Sequence, residues 1–288
     1  MKSFSNLPKI SIVTVNLNHG HYLEHTIRSV LDQKYPNLEY MIFDGGSIDG
    51  SVEIIKKYES QLTYWQSGKD GGHHLALQQG LQMTTGKIMG WINADDCLMP
   101  GSLFALGRTF SANPDVKWIT GVPQYLNSRG ALYNYNDIAS ERWSKQLFLH
   151  QKHAAIQQES TFWRRELWEQ AGGRLNVEQY TIAFDYELWC RFFRYEKLYT
   201  TTVPIGAFRI TRGVNQQSTN ANRTLYLFQC EQARKQEINS SKLAALFTAI
   251  LFLVQHRLLR LFYFLNSPIL KNIYLCTSKT PPVLVHHK

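Results

Sequence analysis

Residues 10–15 read ISIVTV, and this run sets the architecture of the whole chain. It is continuous, apolar and rich in β-branched residues, without the polar alternation of a half-exposed strand. It therefore predicts a strand buried on both faces of a parallel sheet. Residues 22–33 follow with apolar side chains at helical spacing and predict an amphipathic helix. A second predicted strand, 40–43, completes a strand–helix–strand unit, for which a right-handed crossover is expected.

The alternation of strand and helix continues to about residue 120 and then loosens. Strands separated by helices of about ten residues predict an α/β fold with a mostly parallel central sheet flanked by helices. The further elements predicted before residue 121 are helices over 52–58 and 74–83, strands over 62–65 and 87–92, and a helix after Pro100-Gly101. Those predicted after it are a hairpin over 125–135, helices over 165–170, 185–195 and 223–236, and one or two strands over 198–208.

Composition excludes several classes of protein. Of the 288 residues, 44% are hydrophobic and 18% are charged, which excludes a mainly disordered chain, a coiled coil and a collagen-like repeat. The four cysteines are scattered without a CxxC pair, so a disulfide scaffold is not expected and a reducing compartment is favoured. The first apolar run is too short for a signal sequence, and we therefore predict a cytoplasmic protein.

The net charge of +9 is concentrated in a C-terminal tail, predicted as 237–288. Residues 242–288 contain six Lys or Arg and no Asp or Glu, which leaves about +3 for residues 1–241. A basic, apolar tail suits an anionic membrane surface, so 242–275 is predicted to form a helix in peripheral contact with the inner face of the cell membrane. The alternative is a helix packed on the protein. No nucleic-acid partner is expected, because basic residues are not spread over the core.

Three polar clusters close predicted strands. They are Thr14-Val15-Asn16, the glycine-rich run DGGSIDG at 44–50, and Asn93-Ala94-Asp95-Asp96. Ligands of open parallel α/β sheets bind outside the carboxyl ends of the strands, so we expect the clusters to meet. The glycine-rich run lacks GxGxxG spacing and is not a dinucleotide fingerprint. The simpler alternative for this run is a strand–helix turn with Asp49 as the helix N-cap.

The carboxylates of these clusters suggest different tasks. Asp44, at a strand end, can accept two hydrogen bonds from a base or ribose edge, and the glycines after it let a ligand approach the backbone. Asp95 and Asp96 repel each other unless a positive charge lies near, and hard divalent cations bind such oxygens together with phosphate. Asp185 is far from both in sequence. It is a candidate general base, although a helix N-cap is the simpler interpretation.

Taken together, the motifs resemble the family 2 glycosyltransferases of the GT-A fold, which are inverting, bacterial-type enzymes that use nucleotide-sugar donors. The resemblance rests on IVTVN at 12–16, DGGSIDG at 44–50, NADD at 93–96 and DYELW at 185–189, in this order. It covers residues 9–211. It implies a GT-A domain over 1–236, with a nucleotide-binding part at 1–120 and an acceptor-side part at 121–236.

The resemblance implies a role for each motif. Asp185 falls at the position of the catalytic base. Asp95 would bind a divalent cation, Mn²⁺ or Mg²⁺, and Asn93 stands where the first acid of the family's Asp-x-Asp motif is usual. The residues expected to contact the donor are Thr14, Asn16, Asp44, Gly45, Gly46, Lys69, Asp70, Asn93 and Asp96. Those expected at the acceptor, or in a loop that closes over the diphosphate, are Gln158, Arg209 and Thr211.

The predicted function is a metal-dependent inverting glycosyltransferase. It would move a sugar, by default from a UDP-sugar, to a glycan or lipid-linked acceptor in surface polysaccharide assembly. Phe184 stands where the family often has a second acid, and Thr211 where it often has His, so both contacts stay open. Two alternatives also stay open. One is a non-catalytic nucleotide-sugar or glycan-binding subunit of a membrane assembly, and the other is a nucleotidyltransferase, which would need a basic phosphate loop after the first strand.

Overall fold

The chain folds around a mixed β-sheet with helices on both faces. The computed structural model describes residues 7–132, 144–150, 156–210, 220–239 and 284–285. The strands are β1 (Ile10–Asn16), β2 (Leu38–Asp44), β3 (Tyr64–Ser67), β4 (Ile88–Trp91), β5 (Cys97–Leu98), β6 (Trp118–Thr120), β7 (Tyr125–Leu126), β8 (Thr161–Arg164), β9 (Tyr199–Thr201), β10 (Gly206–Arg209) and β11 (Leu284–Val285). The helices are α1 (Gly20–Leu31), α2 (Ser51–Tyr58), α3 (His73–Met83), α4 (Ser102–Ala112), α5 (Lys145–His150), α6 (Arg165–Gln170), α7 (Phe184–Tyr195) and α8 (Asn220–Asn239).

The large sheet has the strand order β11-β9-β6-β8-β4-β1-β2-β3. Its N-terminal half, β4-β1-β2-β3, is parallel throughout. Strand β8 is antiparallel to both of its neighbours and joins this half to β6 and β9, which are parallel to each other. A small sheet, β5-β10-β7, lies beside the large one. The predicted α/β architecture with a mostly parallel central sheet is confirmed.

The two faces of β1 explain why its sequence shows no polar alternation. Val13 and Val15 face one apolar cluster, which includes side chains of α3 and α7, whereas Ile10 and Ile12 face a second cluster with α1 and α4. Both faces of the strand are therefore buried. Gly80 brings α3 close to the first face, because a Cβ at this position would lie 2.6 Å from Val13 Cγ1.

Tryptophan packing fixes α7 against the sheet. The Trp189 ring on α7 stacks on Trp91 of β4, with ring centres 5.9 Å apart, and on Trp118 of β6, at 5.6 Å. All three rings are essentially buried. Such aromatic packing buries much apolar area in a defined geometry, so it holds the first turn of α7, with Asp185, near the carboxyl end of β4.

Two regions differ from the sequence-based expectations. Residues 284–285, predicted within the helical tail, instead form a strand antiparallel to β9, so a helix is wrong there. The run PPVLV contains prolines and β-branched residues, which favour an edge strand over a helix. The predicted membrane segment 242–275 lies outside the described residues. Among the residues that are described, no helix combines the length and apolarity needed to cross a membrane.

The predicted hairpin is present only as a short reversal. Leu126 bridges Leu132 in antiparallel fashion, and the Asn127 side chain accepts hydrogen bonds from the N–H groups of Arg129 and Ala131. Residues 133–135 of the predicted hairpin lie outside the described ranges. The proposed boundary at 236 falls within α8, three residues before it ends at Asn239.

Candidate active site

Polar residues end three adjacent strands in register. Asn16 of β1 lies opposite Asp44 of β2, and Asp44 lies opposite Ser67 of β3. The turn 93–96 follows β4, which runs parallel to β1 on its other side. The structure therefore brings the three predicted clusters to the carboxyl edge of the parallel half of the sheet, where α/β proteins bind their ligands.

Residues 44–47, together with Asn16 and Ser67, form a unit that we call the Asp44 turn. The Asp44 carboxylate is fully buried and accepts five hydrogen bonds. The donors are Asn16 Nδ2 (2.6 Å), the hydroxyls of Ser47 and Ser67 (2.5 Å each) and the N–H groups of Gly46 (3.1 Å) and Ser47 (3.0 Å). Burial alone would raise the pKa of Asp44, but these bonds lower it below its ordinary value.

Few acceptor positions remain open at this turn. A nucleotide base would reach the Asp44 carboxylate only if a serine hydroxyl turned away. The Asn16 amide oxygen, in contrast, is buried with no hydrogen-bond partner among the described residues. Thr14 is fully buried, and its hydroxyl lies 3.0 Å from Tyr40 Oη. Donor contacts for Asp44, Asn16 and Thr14 stay predictions, and the geometry favours Asn16.

The loop after β3 approaches the Asp44 turn closely. A Cβ at Gly45 would lie 3.1 Å from Asp70 Oδ2, and Gly46 adopts a φ of +87°. Both positions therefore suit glycine. Asp70 accepts a hydrogen bond from the N–H of Gly72 at 2.8 Å. Lys69 is exposed and forms no ion pair within the described part of the chain, so its charge is available to a diphosphate. The donor contacts of these residues stay predictions.

Asn93 is the hydrogen-bonding centre of the turn after β4. Its Nδ2 lies 3.1 Å from Asp96 Oδ2 and 3.5 Å from Gln158 Oε1, and its Oδ1 lies 3.3 Å from His73 Nε2. Burial lowers the pKa of His73 to about 4, so this ring is neutral near pH 7. An aspartate in place of Asn93 would lose the donated bonds and add a third carboxylate to the turn. The amide therefore has a physical reason to be there.

The two acids of this turn occupy different environments. Asp96 is fully buried, and its Oδ1 accepts a hydrogen bond from the N–H of Arg209 at 2.8 Å. Burial raises the pKa of Asp96 well above its ordinary value, and the charges of Asp95 and Glu159 add to the effect. Asp95 is half-buried, and burial raises its pKa against the opposing charges of His19 and Arg209. No other described residue donates a hydrogen bond to the Asp95 carboxylate.

Asp95 thus fits the predicted cation-binding role better than Asp96. Within the described ranges no group of three His, Cys, Asp or Glu side chains could enclose a metal ion. Mg²⁺ in nucleotide sites is commonly held by one or two carboxylates with the phosphates and water as its other ligands. A single open carboxylate is compatible with that arrangement. Cation binding by Asp95 and ligand contact by Asp96 stay predictions.

Arg209, at the end of β10, lies buried behind residues 93–96, which we call the acidic turn. Its Nε donates to the Asp95 carbonyl at 2.6 Å, its Nη1 donates to the Asn127 carbonyl at 3.2 Å, and its Nη2 lies 2.8 Å from His25 Nδ1. The guanidinium therefore points into the protein and supports the turn. Its predicted contact with the diphosphate stays a prediction, and Thr211 lies outside the described residues.

Asp185 is in the first turn of α7, which begins at Phe184, and it is not the N-cap residue. The Phe184 ring stacks on His73, with centres 5.7 Å apart, which links α7 to the edge of the sheet. Asp185 accepts hydrogen bonds from the N–H of Tyr186 (2.7 Å) and from Tyr226 Oη (3.4 Å). Burial raises the pKa of Asp185 to about 6. The carboxylate is thus ionised near pH 7 yet more basic than usual, as a general base requires.

A 3₁₀ turn, Gln158–Ser160, completes the site. Gln158 Nε2 donates to the Trp91 carbonyl at 2.6 Å, so this side chain supports β4; its predicted acceptor contact stays a prediction. Glu159 is 2% exposed, and burial raises its pKa to about 8, with added effects from the charges of Asp95 and Asp185. We call Asp95, Asp96, Glu159 and Asp185 the acid cluster.

Sequence reasoning assigned Gln158 of the run QQES to the site but not its neighbour Glu159, and it missed Tyr226. A single Glu inside QQES carries no sign that it will be buried. Tyr226 lies 41 residues after Asp185, on a helix of low amphipathic character, so no spacing rule connects the two. Only the three-dimensional packing of the 3₁₀ turn and of α8 places them here.

This arrangement of a parallel sheet edge, an acidic turn and a separate basic carboxylate is that of a GT-A-type transferase domain. The sequence matches the family described as "Glycosyl transferase family 2" over residues 11–200, and the chain belongs to this family. The family predicted from the motifs is therefore confirmed.

Relatives with assigned names support the same family. An uncharacterized glycosyltransferase of Mycobacterium tuberculosis is 32% identical over 93 residues, which are 32% of this chain and 36% of that protein. The poly-β-1,6-N-acetyl-D-glucosamine synthase of Staphylococcus epidermidis is 26% identical over 125 residues, 43% of this chain and 30% of that one. The chain spans about a third of the length of these curated relatives.

Solved structures show the same fold at low identity. S. aureus TarS 1–349 in complex with UDP-GlcNAc has a TM-score of 0.62 and 13% identity, covering 83% of this chain and 69% of that one. A mannosyltransferase from Pyrobaculum calidifontis, in complex with GDP-Man and Mn²⁺, has a TM-score of 0.54 and 16% identity, covering 89% and 81%. At this identity the likeness establishes the fold alone.

Proposed function

We propose that the chain is a metal-dependent inverting glycosyltransferase that uses a nucleoside-diphosphate sugar, by default a UDP-sugar. The acceptor is a hydroxyl of a glycan or lipid-linked saccharide in surface polysaccharide assembly. The observation that carries the proposal is that two carboxylates of different character lie at one sheet edge. The carboxylate of Asp95, in the turn after β4, accepts no hydrogen bond from another described residue. Asp185, on α7, has a pKa raised to about 6 and is a stronger base than an ordinary aspartate.

The two carboxylates suit the two ends of a single displacement. Asp185 removes the proton of the acceptor hydroxyl as that oxygen attacks the anomeric carbon, and the bond to the diphosphate oxygen breaks on the opposite face. The configuration is inverted because the acceptor oxygen attacks the face of the anomeric carbon opposite the departing diphosphate. A divalent cation bound by Asp95 and the diphosphate would neutralise charge on the leaving group. The free ammonium of Lys69 contributes positive charge at the same edge.

Three similarities support the choice of donor and acceptor. The TarS structure holds UDP-GlcNAc, and the mannosyltransferase structure holds GDP-Man and Mn²⁺. The Staphylococcus epidermidis relative is named as a polysaccharide synthase. These names favour a nucleotide-sugar donor, a divalent cation and a saccharide acceptor for this chain.

Thermal unfolding with UDP-, GDP-, dTDP- and CMP-sugars, each with and without Mn²⁺, tests the donor. A ligand at about 100 times its dissociation constant adds about 2.7 kcal/mol of stability, which is readily measured. We expect a Mn²⁺-dependent shift with one of the nucleoside-diphosphate sugars, no shift with CMP-sugars, which carry a single phosphate, and loss of the shift in Asp95→Asn. No shift with any donor would overturn the proposal. Binding without turnover, unchanged by Asp185→Asn, would instead favour a non-catalytic binding subunit.

We also propose peripheral membrane contact through 242–275, at the cytoplasmic face. The support is the charge pattern: six basic and no acidic residues in 242–288. We expect the full chain to sediment with vesicles that contain phosphatidylglycerol, less at high salt, and not with phosphatidylcholine alone. Replacement of the six basic residues by Gln is expected to abolish sedimentation. Equal binding by the wild type and this variant would contradict the proposal.

A further inference from the structure

Glu159 is a buried acid whose surroundings do not satisfy it. Its side chain is 2% exposed, and its Oε1 has no hydrogen-bond partner among the described residues. The charged groups that raise its pKa further are two other acids, Asp95 and Asp185. Buried polar atoms without a partner are uncommon, because each one costs the free energy of its lost hydration. An atom of this kind at a ligand-binding edge indicates a contact that the ligand supplies.

The backbone around Glu159 leaves little freedom to move away from the site. The Ser160 hydroxyl donates to the Gly206 carbonyl at 3.0 Å and accepts from the Gly206 N–H at 3.1 Å. A Cβ at Gly206 would lie 2.1 Å from the Glu159 carbonyl oxygen and 3.1 Å from its Cγ. Strand β10 thus packs directly on this turn. The unpartnered oxygen belongs to a rigidly held residue, as expected for a preorganised contact.

The position of Glu159 relative to the reacting groups indicates which part of the ligand it contacts. In the proposed reaction, which this inference rests on, the diphosphate leaves on the Asp95 side and the acceptor hydroxyl is deprotonated by Asp185. The transferred sugar ring must lie between these two groups. Glu159 directly follows Gln158, whose Oε1 lies 3.5 Å from Asn93 Nδ2 and whose Nε2 donates to the Trp91 carbonyl. It therefore lies next to the turn after β4, beside the position of that ring.

We propose that Glu159 contacts a hydroxyl of the transferred sugar and thereby determines which donor sugar the enzyme accepts. A carboxyl group that carries its proton both donates and accepts hydrogen bonds, which suits a sugar hydroxyl. A site built to bind a hydroxyl strongly disfavours a ligand that lacks it, since the buried group is then left unpaired.

Binding of matched pairs of ligands tests this role. The probes are UDP against UDP-GlcNAc and GDP against GDP-mannose, each with Mn²⁺, titrated calorimetrically into the wild type, Glu159→Ala and Glu159→Gln. The pair that binds the wild type is used. We expect Glu159→Ala to weaken binding of the nucleotide-sugar about tenfold or more while binding of the free nucleotide stays within about twofold. Glu159→Gln keeps an amide that can bond a hydroxyl and is expected to recover most of the loss.

Glu39→Gln is the matched control, because Glu39 is also a buried acid but lies at the opposite end of the sheet, bonded to Ser11 and Thr85. It should destabilise the fold without changing the ratio of the two affinities. An unchanged ratio in both Glu159 variants would overturn the sugar contact and leave the proposed function standing. If neither these pairs nor dTDP and a dTDP-sugar bind the wild type, the proposed function itself fails, and this inference fails with it. If Glu159→Ala does not fold, the nucleotide-sugar and its deoxy analogues are titrated into the wild type and Glu159→Gln. A loss of affinity for one deoxy analogue that is smaller in Glu159→Gln than in the wild type supports the contact. The same loss in both proteins overturns it.

Discussion

The Asp44 turn and the acid cluster lie at the same edge of one sheet but are built on opposite principles. In the Asp44 turn one buried carboxylate accepts five hydrogen bonds, and its pKa is lowered. In the acid cluster burial raises the pKa of every member, and the charges of neighbouring acids add to the effect at Asp96 and Glu159. The Asp44 carboxylate is satisfied without a ligand, whereas the buried Glu159 Oε1 of the acid cluster has no partner among the described residues. Binding geometry and chemical reactivity are thus assigned to separate halves of the edge.

The largest expected effect separates these halves through Asp185. Asp185→Asn keeps the shape of the side chain but removes the base, so turnover should fall about 10²–10⁴-fold. Donor affinity, measured by calorimetry, should stay unchanged because the Asp44 turn and Asp95 are intact. Asp32→Asn, an exposed change at the residue that follows α1, is the control and should leave turnover at the wild-type level. Full turnover in Asp185→Asn would remove Asp185 from the role of base.

The next largest expected effect is a loss of stability, and it concerns the Asp44 turn. Asp44→Ala removes the acceptor of five hydrogen bonds and leaves buried donors unpaired, so the free energy of unfolding should fall by about 3 kcal/mol. Chemical denaturation monitors this change. Asp32→Ala breaks only an exposed ion pair with Arg28 and should cost less than about 0.5 kcal/mol. Comparable losses in the two variants would show that the Asp44 turn is not the rigid half.

The two halves should also respond to pH with opposite signs. The pKa of Asp44 is lowered on folding, so its stabilising contribution is present above the unfolded-state pKa and is lost as the pH falls through its folded-state value. The pKa of Glu159 is raised from 4.5 to about 8, so folding is favoured by its proton and stability declines as the pH rises from about 4.5 to 8.

Thermal unfolding of the ligand-free protein between about pH 2 and 8 measures both signs, because the Asp44 contribution is lost only below its unfolded-state pKa. Glu159→Gln cannot ionise and should lose less stability than the wild type as the pH rises. Asp44→Asn should flatten the decline at the acid end of the range. Parallel pH profiles for the wild type and Glu159→Gln would contradict the raised pKa of Glu159 and with it the contrast between the halves.

Sequence reasoning predicts the edge far better than the state of its carboxylates. The run at 10–15 and the boundaries of α6 follow from local patterns, because burial on both faces and helical spacing are properties of neighbouring residues. Whether the hydrogen-bonding positions of a carboxylate are occupied depends instead on partners that are distant in sequence. Asn16 and Ser67 lie 28 and 23 residues from Asp44, and Gly206 lies 46 residues from Ser160. Arg209, expected at the diphosphate, supports the acidic turn from behind for the same reason.

The smallest expected effect tests how finely the acid cluster is tuned from α8. Tyr226 Oη donates to the Asp185 carboxylate at 3.4 Å, a long bond that favours the ionised form. Other titratable groups near Asp185 are Glu159 and Cys230, and neither donates to it. Tyr226→Phe should therefore raise the pKa of Asp185 and move the acid limb of the turnover profile upward by less than about one pH unit.

The matched control for this change is Tyr180→Phe. It removes the hydrogen bond that the Tyr180 hydroxyl donates to Gln236 of α8 at 2.9 Å. It should lower the unfolding temperature about as much as Tyr226→Phe without moving the pH profile. If both variants shift the profile equally, the effect comes from the packing of α8 and not from the hydroxyl at Asp185. A shift confined to Tyr226→Phe would show that α8 tunes the base directly. The acid cluster would then depend on a residue of α8, whereas every donor to the Asp44 carboxylate belongs to the Asp44 turn itself.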